Sequence, residues 1–262
     1  MKRKSKNIEH KTKEEIFLEN LRDIKEIFDK HNIKFWLDWG TLLGAVREGK
    51  IIEWDHDIDL GIMAEDFKKN TSVFSEIKKR GFFLKEPLIL EPKVLVLNVW
   101  RFGYNVGIWP YSIMDKDALV AFHGGKVSRN PIARSSWFLW RLLECDGRIS
   151  MPINKFKFVV ALFIKHFILL LPRKSKKLLV KIVKKILTED NYLIPLRIVV
   201  PKHYFERFKT VKFYDMEFKV PSDAEGYLEY KYGPDWKTPK RKWAWANEDG
   251  AVKHSVSEKI QG

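Results

Sequence analysis

The chain has 262 residues and a single cysteine, Cys145. That excludes an intrachain disulfide framework and a zinc site built on several cysteines, and makes a reducing, cytoplasmic setting the simplest expectation. Long apolar runs are also missing. The longest, FVVALFIKHFILLL from Phe158 to Leu171, is shorter than a membrane-spanning helix and is broken by Lys165 and His166. The opening MKRKSKNIEHKTKEE has charge with no apolar stretch behind it, which is not the pattern of a secretory signal. Acids are the scarcer sign of charge, 34 against 49 Lys and Arg, for a formal net charge of +15.

Hydrophobic residues make up 45% of the chain and ten residues are Trp, which is the composition of a folded globular protein. Much of the basic excess sits in two places. Lys2, Arg3, Lys4 and Lys6 open the chain, and Arg173, Lys174, Lys176, Lys177, Lys181, Lys184 and Lys185 form a run without an acid. No helix-turn-helix, zinc-finger or RNP signature accompanies them, which points away from nucleic acid and toward anionic lipid or anionic small substrates. Leu178, Leu179, Ile182 and Ile186 recur at helical spacing opposite the lysines. Two readings stay open there: a helix lying peripherally on an anionic membrane surface, and an ordinary solvated basic helix.

Phe17, Leu21, Ile24 and Phe28 step by three or four residues and predict an amphipathic helix ending near Lys30. Phe35-Trp36-Leu37 reads as a short strand, followed by Gly40 and a turn or helix through Arg47. Asp57 to Met63 is the clearest strand, with Ile58, Leu60 and Ile62 on one face and Asp57, Asp59 and Gly61 on the other. Ala64 to Arg80 predicts one helix, and strands are expected at about Val94 to Arg101 and Tyr104 to Trp109. A mostly helical region follows, then two short strands around Asp215 and a helix from Asp223 to Tyr232. The fold class is α+β: a small mixed sheet flanked by helices, with a helical insertion and a C-terminal strand-helix unit. A single domain is expected, with its core at about 15–134, the basic insertion at about 135–205 and the C-terminal unit at about 206–245.

Asp55-His56-Asp57-Ile58-Asp59 carries the chemistry. Two carboxylates on one strand face repel each other unless a cation neutralises them or one is protonated, and they suit Mg²⁺, with Mn²⁺ as the alternative. Upstream, Gly40-Thr41-Leu42-Leu43-Gly44 offers backbone N–H groups at a turn into a short helix, a place for phosphate, with Arg47 and Lys50 close behind. Trp36, Trp39 and Trp54 flank the motif, either as stacking surfaces or as core.

The run FWLDWGTLLGAVREGKIIEWDHDIDLGIM strongly resembles the signature of the LicD and fukutin-related family, whose members have a nucleotidyltransferase-type fold. Gly40 and Thr41 fall on its Gly-Ser/Thr turn, Arg47 on the basic position, Trp54 and Asp55 on the start of the acidic motif, and Asp57 with Asp59 on the metal pair. A second block, VPSDAEGYLEYKYGPDWKTP from Val220 to Pro239, resembles the family's terminal pattern. The resemblance covers roughly residues 30 to 110 and 208 to 240.

It implies transfer of a phosphorylated alcohol, such as phosphocholine or ribitol phosphate, from a CDP-linked donor to a glycan or glycolipid hydroxyl, with release of CMP. Asp57, Asp59 and Arg47 would then be catalytic, Asp55, Asp57 and Asp59 would hold the metal, and Gly40, Thr41, Lys50 and Trp54 would bind substrate. One position departs: Gly107 stands where family members commonly carry a third Asp before an Ile-Phe-Pro-like tripeptide. Asp55, Asp115 or His56 could take its place, or the chain could be a catalytically silent, membrane-associated binding subunit. A nucleotidyltransferase moving NMP from NTP to a small acceptor is the other enzymatic alternative, distinguished by pyrophosphate as its leaving group.

Overall fold

The computed structural model describes residues 11–69, 72–84, 89–90, 93–94, 96–115, 118–127, 130–144, 164, 166–168, 170–189 and 193–253. The basic opening, Cys145 and most of the Phe158–Leu171 run lie outside the described residues. Two compact units are present: Met1–His123 with Leu196–Gly262, and Gly124–Pro195.

In the larger unit, helix α1 (Lys13–Lys30) starts at a capping box, in which the Thr12 side chain accepts from the Glu15 N–H and the Glu15 carboxylate accepts from the Thr12 N–H. It buries Phe17, Leu21, Ile24 and Phe28, as its period predicts. Next come β1 (Phe35–Leu37), α2 (Trp39–Arg47), β2 (Asp57–Met63), α3 (Ala64–Lys69) and α4 (Ser72–Lys79). The helix expected over Ala64 to Arg80 is represented by these last two stretches, with residues 70 and 71 outside the described residues. Strands β3 (Phe83–Leu84), β4 (Ile89–Leu90), β5 (Lys93–Val94), β6 (Leu97–Arg101), β7 (Tyr104–Asp115) and β8 (Ala118–Val127) complete the first half.

The result is a mixed sheet with the order β1-β2-β7-β8, extended by β9 (Leu193–Pro201) and β12 (Val252–Lys253), with β6 also pairing with β7. β2 and β7 are parallel, whereas β1 on β2 and β6 on β7 are antiparallel. Ile58, Leu60 and Ile62 are fully buried on one face of β2, so the alternation of its sequence sets which way Asp57 and Asp59 point. Between β9 and β12 lie the hairpin β10 (Phe208–Phe213) and β11 (Met216–Pro221) and two further helices, Ala224–Tyr232 and Trp245–Glu248. The first of these helices is capped by Asp223, whose side chain accepts from the Gly226 N–H.

The smaller unit contains the helices Pro131–Glu144 and Arg173–Glu189, with Leu142 and Ile168 buried. Leu178 and Ile182 are exposed on the second helix among the exposed Lys174, Lys177, Lys181 and Lys185. Among the described residues, no helix is long and apolar enough to cross a membrane.

Candidate active site

Asp38 builds the entrance to α2. Its buried carboxylate accepts from the Trp39 N–H at 2.8 Å, from Tyr111 Oη at 2.9 Å and from Tyr227 Oη at 2.7 Å. Burial pushes the Asp38 carboxyl up, and the charge of Lys231 opposes that shift. Trp39 follows in the left-handed region, at φ 46°. It is held there by its cap and by the ring of Trp109, which stacks on it with centroids 4.5 Å apart. The Asp38 N–H also donates to the Asp59 carbonyl at 3.1 Å, tying this corner to β2.

The corner opens into a cavity of about 360 Å³ with Asp55, Asp57 and Asp59 in its lining. Asp59 accepts from Trp109 Nε1 at 2.8 Å, while burial and then the charge of Asp57 push its carboxyl well up. Asp55 is pushed up to about 7, by burial first and then by its contact with Asp57. Its carboxylate lies against Gly40, where a Cβ would stand 2.3 Å from Asp55 Oδ2, so any larger residue at position 40 would displace it. Among the described residues, no three or more His, Cys, Asp or Glu side chains form a ready-made metal group. The protein instead offers crowded carboxylates and the amide oxygens of Asn98 and Asn105 in one cavity. An all-oxygen set of this kind fits a hard divalent cation such as Mg²⁺ or Mn²⁺.

The raised Asp55 carboxyl couples folding to pH. The folded protein holds this proton more tightly than the unfolded chain, whose aspartates titrate near about 3.9. The metal-free protein is therefore expected to lose stability as pH rises from about 4 to about 7. Melting in chelator between pH 5 and 8 should show that fall flattened in Asp55→Asn. An identical slope in the variant would take Asp55 out of the acidic cluster.

The other residues singled out in the sequence divide. Gly40, Arg47 and Trp54 line the cavity, whereas Lys50 is exposed and absent from the lining. Thr41 is buried and its Oγ1 accepts from the Asp59 N–H at 2.9 Å, so it fixes β2 beneath the cavity instead of lining it. Arg47 Nε donates to Glu48 Oε1 at 2.9 Å, a pairing that occupies one edge of its guanidinium. His56 is exposed and outside the lining. Trp36 belongs to the core, packed with Tyr111 and Phe205.

The C-terminal segment supplies a wall of the cavity through Tyr232, Trp236, Lys240, Arg241, Trp243 and Trp245. Arg241 lies 5.4 Å from the centre of the Trp54 ring. Sequence reasoning did not single out Asn98 and Asn105, nor the buried Lys231. Lys231 Nζ sits 3.3 Å over the Trp39 ring and 2.9 Å from Asp249 Oδ2. The alternation of β6 and β7 was the available signal for the two asparagines; no local pattern marked Lys231.

Residues 32–118 match the family model described as LicD/FKTN/FKRP, nucleotidyltransferase domain. An uncharacterized protein of Rickettsia typhi is 43% identical over 65 residues, 25% of this chain and 21% of its own length. Ribitol 5-phosphate transferase FKRP of Homo sapiens is 31% identical over 114 residues, 38% of this chain and 22% of its own. Ribitol-5-phosphate transferase FKTN of Homo sapiens is 22% identical over 217 residues, 83% of this chain. That longer match spans 32% of FKTN, so the chain corresponds to about a third or less of the length of the curated relatives it matches. Among solved structures, the antibiotic-resistance factor ANT(2'')-Ia aligns with 68% of this chain and 96% of its own, at 13% identity and a TM-score of 0.32, too low to bear on the assignment. The acidic strand, its glycine turn and the strands β1, β2, β6 and β7 all lie inside residues 32–118, the segment similar to the LicD/FKTN/FKRP nucleotidyltransferase domain.

Proposed function

We propose that this protein transfers a phosphorylated alcohol, of the ribitol-phosphate or phosphocholine kind, from a CDP-linked donor to a hydroxyl of a glycan or glycolipid, releasing CMP. The observation that carries the reading is the pair Asp57 and Asp59, on the same strand face and in the lining of a cavity walled by aromatic and cationic side chains. The similarity to two ribitol 5-phosphate transferases supports it.

Asp57 and Asp59 would hold Mg²⁺ or Mn²⁺, with Asp55 adjoining. When bound, the cation supplies neutralisation of the charge that builds on the donor diphosphate. The aromatic wall stacks the donor base, as Trp and Tyr faces stack any flat ring. Lys240 and Arg241 lie beside it to take phosphate oxygens by charge-assisted hydrogen bonds. Arg47, with one guanidinium edge on Glu48, contributes through its remaining N–H groups. The acceptor oxygen forms the new P–O bond as the P–O bond to CMP breaks, and the bonding pair leaves with CMP. Asp55, with its pKa near neutral, takes the acceptor proton.

Incubation of the protein with Mg²⁺, a panel of CDP-alcohols and cell-derived glycolipid is expected to release CMP and add the mass of the phosphoalcohol to the acceptor. Release of pyrophosphate from an NTP, with no CMP from any CDP-alcohol, would assign the site to NMP transfer instead.

The helix Arg173–Glu189 would place the protein peripherally on an anionic cytoplasmic membrane face. Its exposed Leu178 and Ile182 lie among lysines, and an anionic surface complements that charge. Flotation with anionic liposomes should fall when Lys177, Lys181 and Lys185 are neutralised together. Undiminished flotation would reject the attachment.

A further inference from the structure

The geometry shows what occupies the space beside Gly107 on β7. β2 and β7 run parallel with Asp57 beside Asn105 and Asp59 beside Gly107. A Cβ on Gly107 would stand 2.7 Å from Asp59 Oδ1 and 3.3 Å from Trp109 Nε1, the two atoms joined by the 2.8 Å hydrogen bond. Asp59 and Trp109 close over the glycine, so no side chain at 107 fits without moving them.

The neighbouring ladder position is built differently. Asn105 is 9% exposed and lines the cavity beside Asp57. Its Nδ2 donates to Asn98 Oδ1 at 2.9 Å, which fixes the amide plane. Its Oδ1 has no hydrogen-bond partner. A buried amide oxygen without a protein donor is costly, and a cation held among the neighbouring carboxylates would satisfy it. An amide oxygen is also an ordinary ligand for a hard divalent ion.

We propose that the Asn105 amide oxygen is the third protein oxygen of the divalent-cation site formed with Asp57 and Asp59, supplied one alternation before Gly107 on β7. This rests on the metal-dependent reading above. The ligand set then carries two negative charges where three carboxylates would carry three, and the site binds its ion correspondingly less tightly. Asn98, which holds the Asn105 amide from β6, is a positioning residue.

The test is a Mn²⁺ titration of the full chain, following free Mn²⁺ by electron paramagnetic resonance and checking folding by melting. Asn105→Leu keeps the shape without the oxygen and is expected to weaken Mn²⁺ binding about ten-fold or more. Asn105→Ala serves the same purpose if the Leu variant melts below the titration temperature. Asn105→Asp keeps an oxygen ligand and removes the amide N–H, and is expected to bind Mn²⁺ as tightly as wild type or tighter. Loss of binding in Asn105→Asp would show that the amide acts as a donor to Asp57 and overturn the proposal. So would wild-type affinity in Asn105→Leu while Asp57→Asn abolishes binding. If wild type itself binds no Mn²⁺, the metal-dependent reading falls, and this inference falls with it.

Discussion

Replacing Asp249 by Ala is expected to destabilise the protein by about 3–5 kcal/mol, the cost of leaving a buried partner charge uncompensated. Lys231 and Asp249 side chains are both wholly inaccessible to solvent, with Nζ and Oδ2 2.9 Å apart. Neither of those two atoms makes a hydrogen bond, so the ammonium is held by its ion pair with the carboxylate and by the Trp39 ring beneath it. Asp249 Oδ1 also accepts from the Ala251 N–H at 2.7 Å, so the variant loses a turn contact as well. Denaturant unfolding should show the loss as a shift in midpoint. The double variant Lys231→Met, Asp249→Leu is expected to recover more than half of it, since apolar replacement removes both desolvation penalties. A change below about 1 kcal/mol in Asp249→Ala would mean that this pair does not hold the C-terminal segment against α2. Because Trp39 stacks on Trp109, and Trp109 bonds Asp59, the loss should also reach the cavity.

Elements with a strong local period were legible in the sequence. The helix Lys13–Lys30 and the strand Asp57–Met63 follow from apolar spacing, because each buries an apolar face in the same core, and Phe35–Leu37 is a short apolar run buried throughout. The hairpin around Asp215 and the Asp223 cap were legible through turn and cap chemistry. Leu193–Pro201 and Val252–Lys253 were not. The first has Pro195 inside an apolar run directly after a lysine-rich helix and sits in the sheet between β8 and Val252–Lys253; the second has only two residues and is a strand because it pairs with the first.

The candidate site divides along the same line. Asp57, Asp59, Gly40 and Trp54 belong to one contiguous motif, so their convergence could be read from strand alternation and a turn. Thr41 lies in that motif but does not line the cavity, because a helical residue's direction depends on the rotation of α2 that Asp38 fixes, and Lys50 lies past the end of α2, where its side chain is exposed. The C-terminal wall, with Lys240, Arg241, Trp243 and Trp245, is brought in by chain path alone. Nothing in the local pattern of residues 240–245 says which cavity they face.

Asp57→Asn and Asp59→Asn are each expected to lower CMP release by about 10³-fold or more, equivalent to about 4 kcal/mol of transition-state stabilisation. Both changes keep the size and shape of the side chain and remove its charge. Asn at 59 can still accept from Trp109 Nε1, and its backbone N–H still reaches Thr41 Oγ1, so the fold should persist. Removing a carboxylate also lessens the repulsion that raises the Asp55 pKa, so metal-free stability should hold or rise while turnover falls. Loss of activity together with unchanged or higher melting temperature separates a cation-binding role from a structural one. The most direct single measurement is therefore the rate of CMP release from a CDP-alcohol in Mg²⁺, compared between wild type and folded Asp57→Asn. Turnover in wild type and at least a thousand-fold less in the variant is the result expected of carboxylates that hold the reacting group's cation; equal turnover in the two would contradict it.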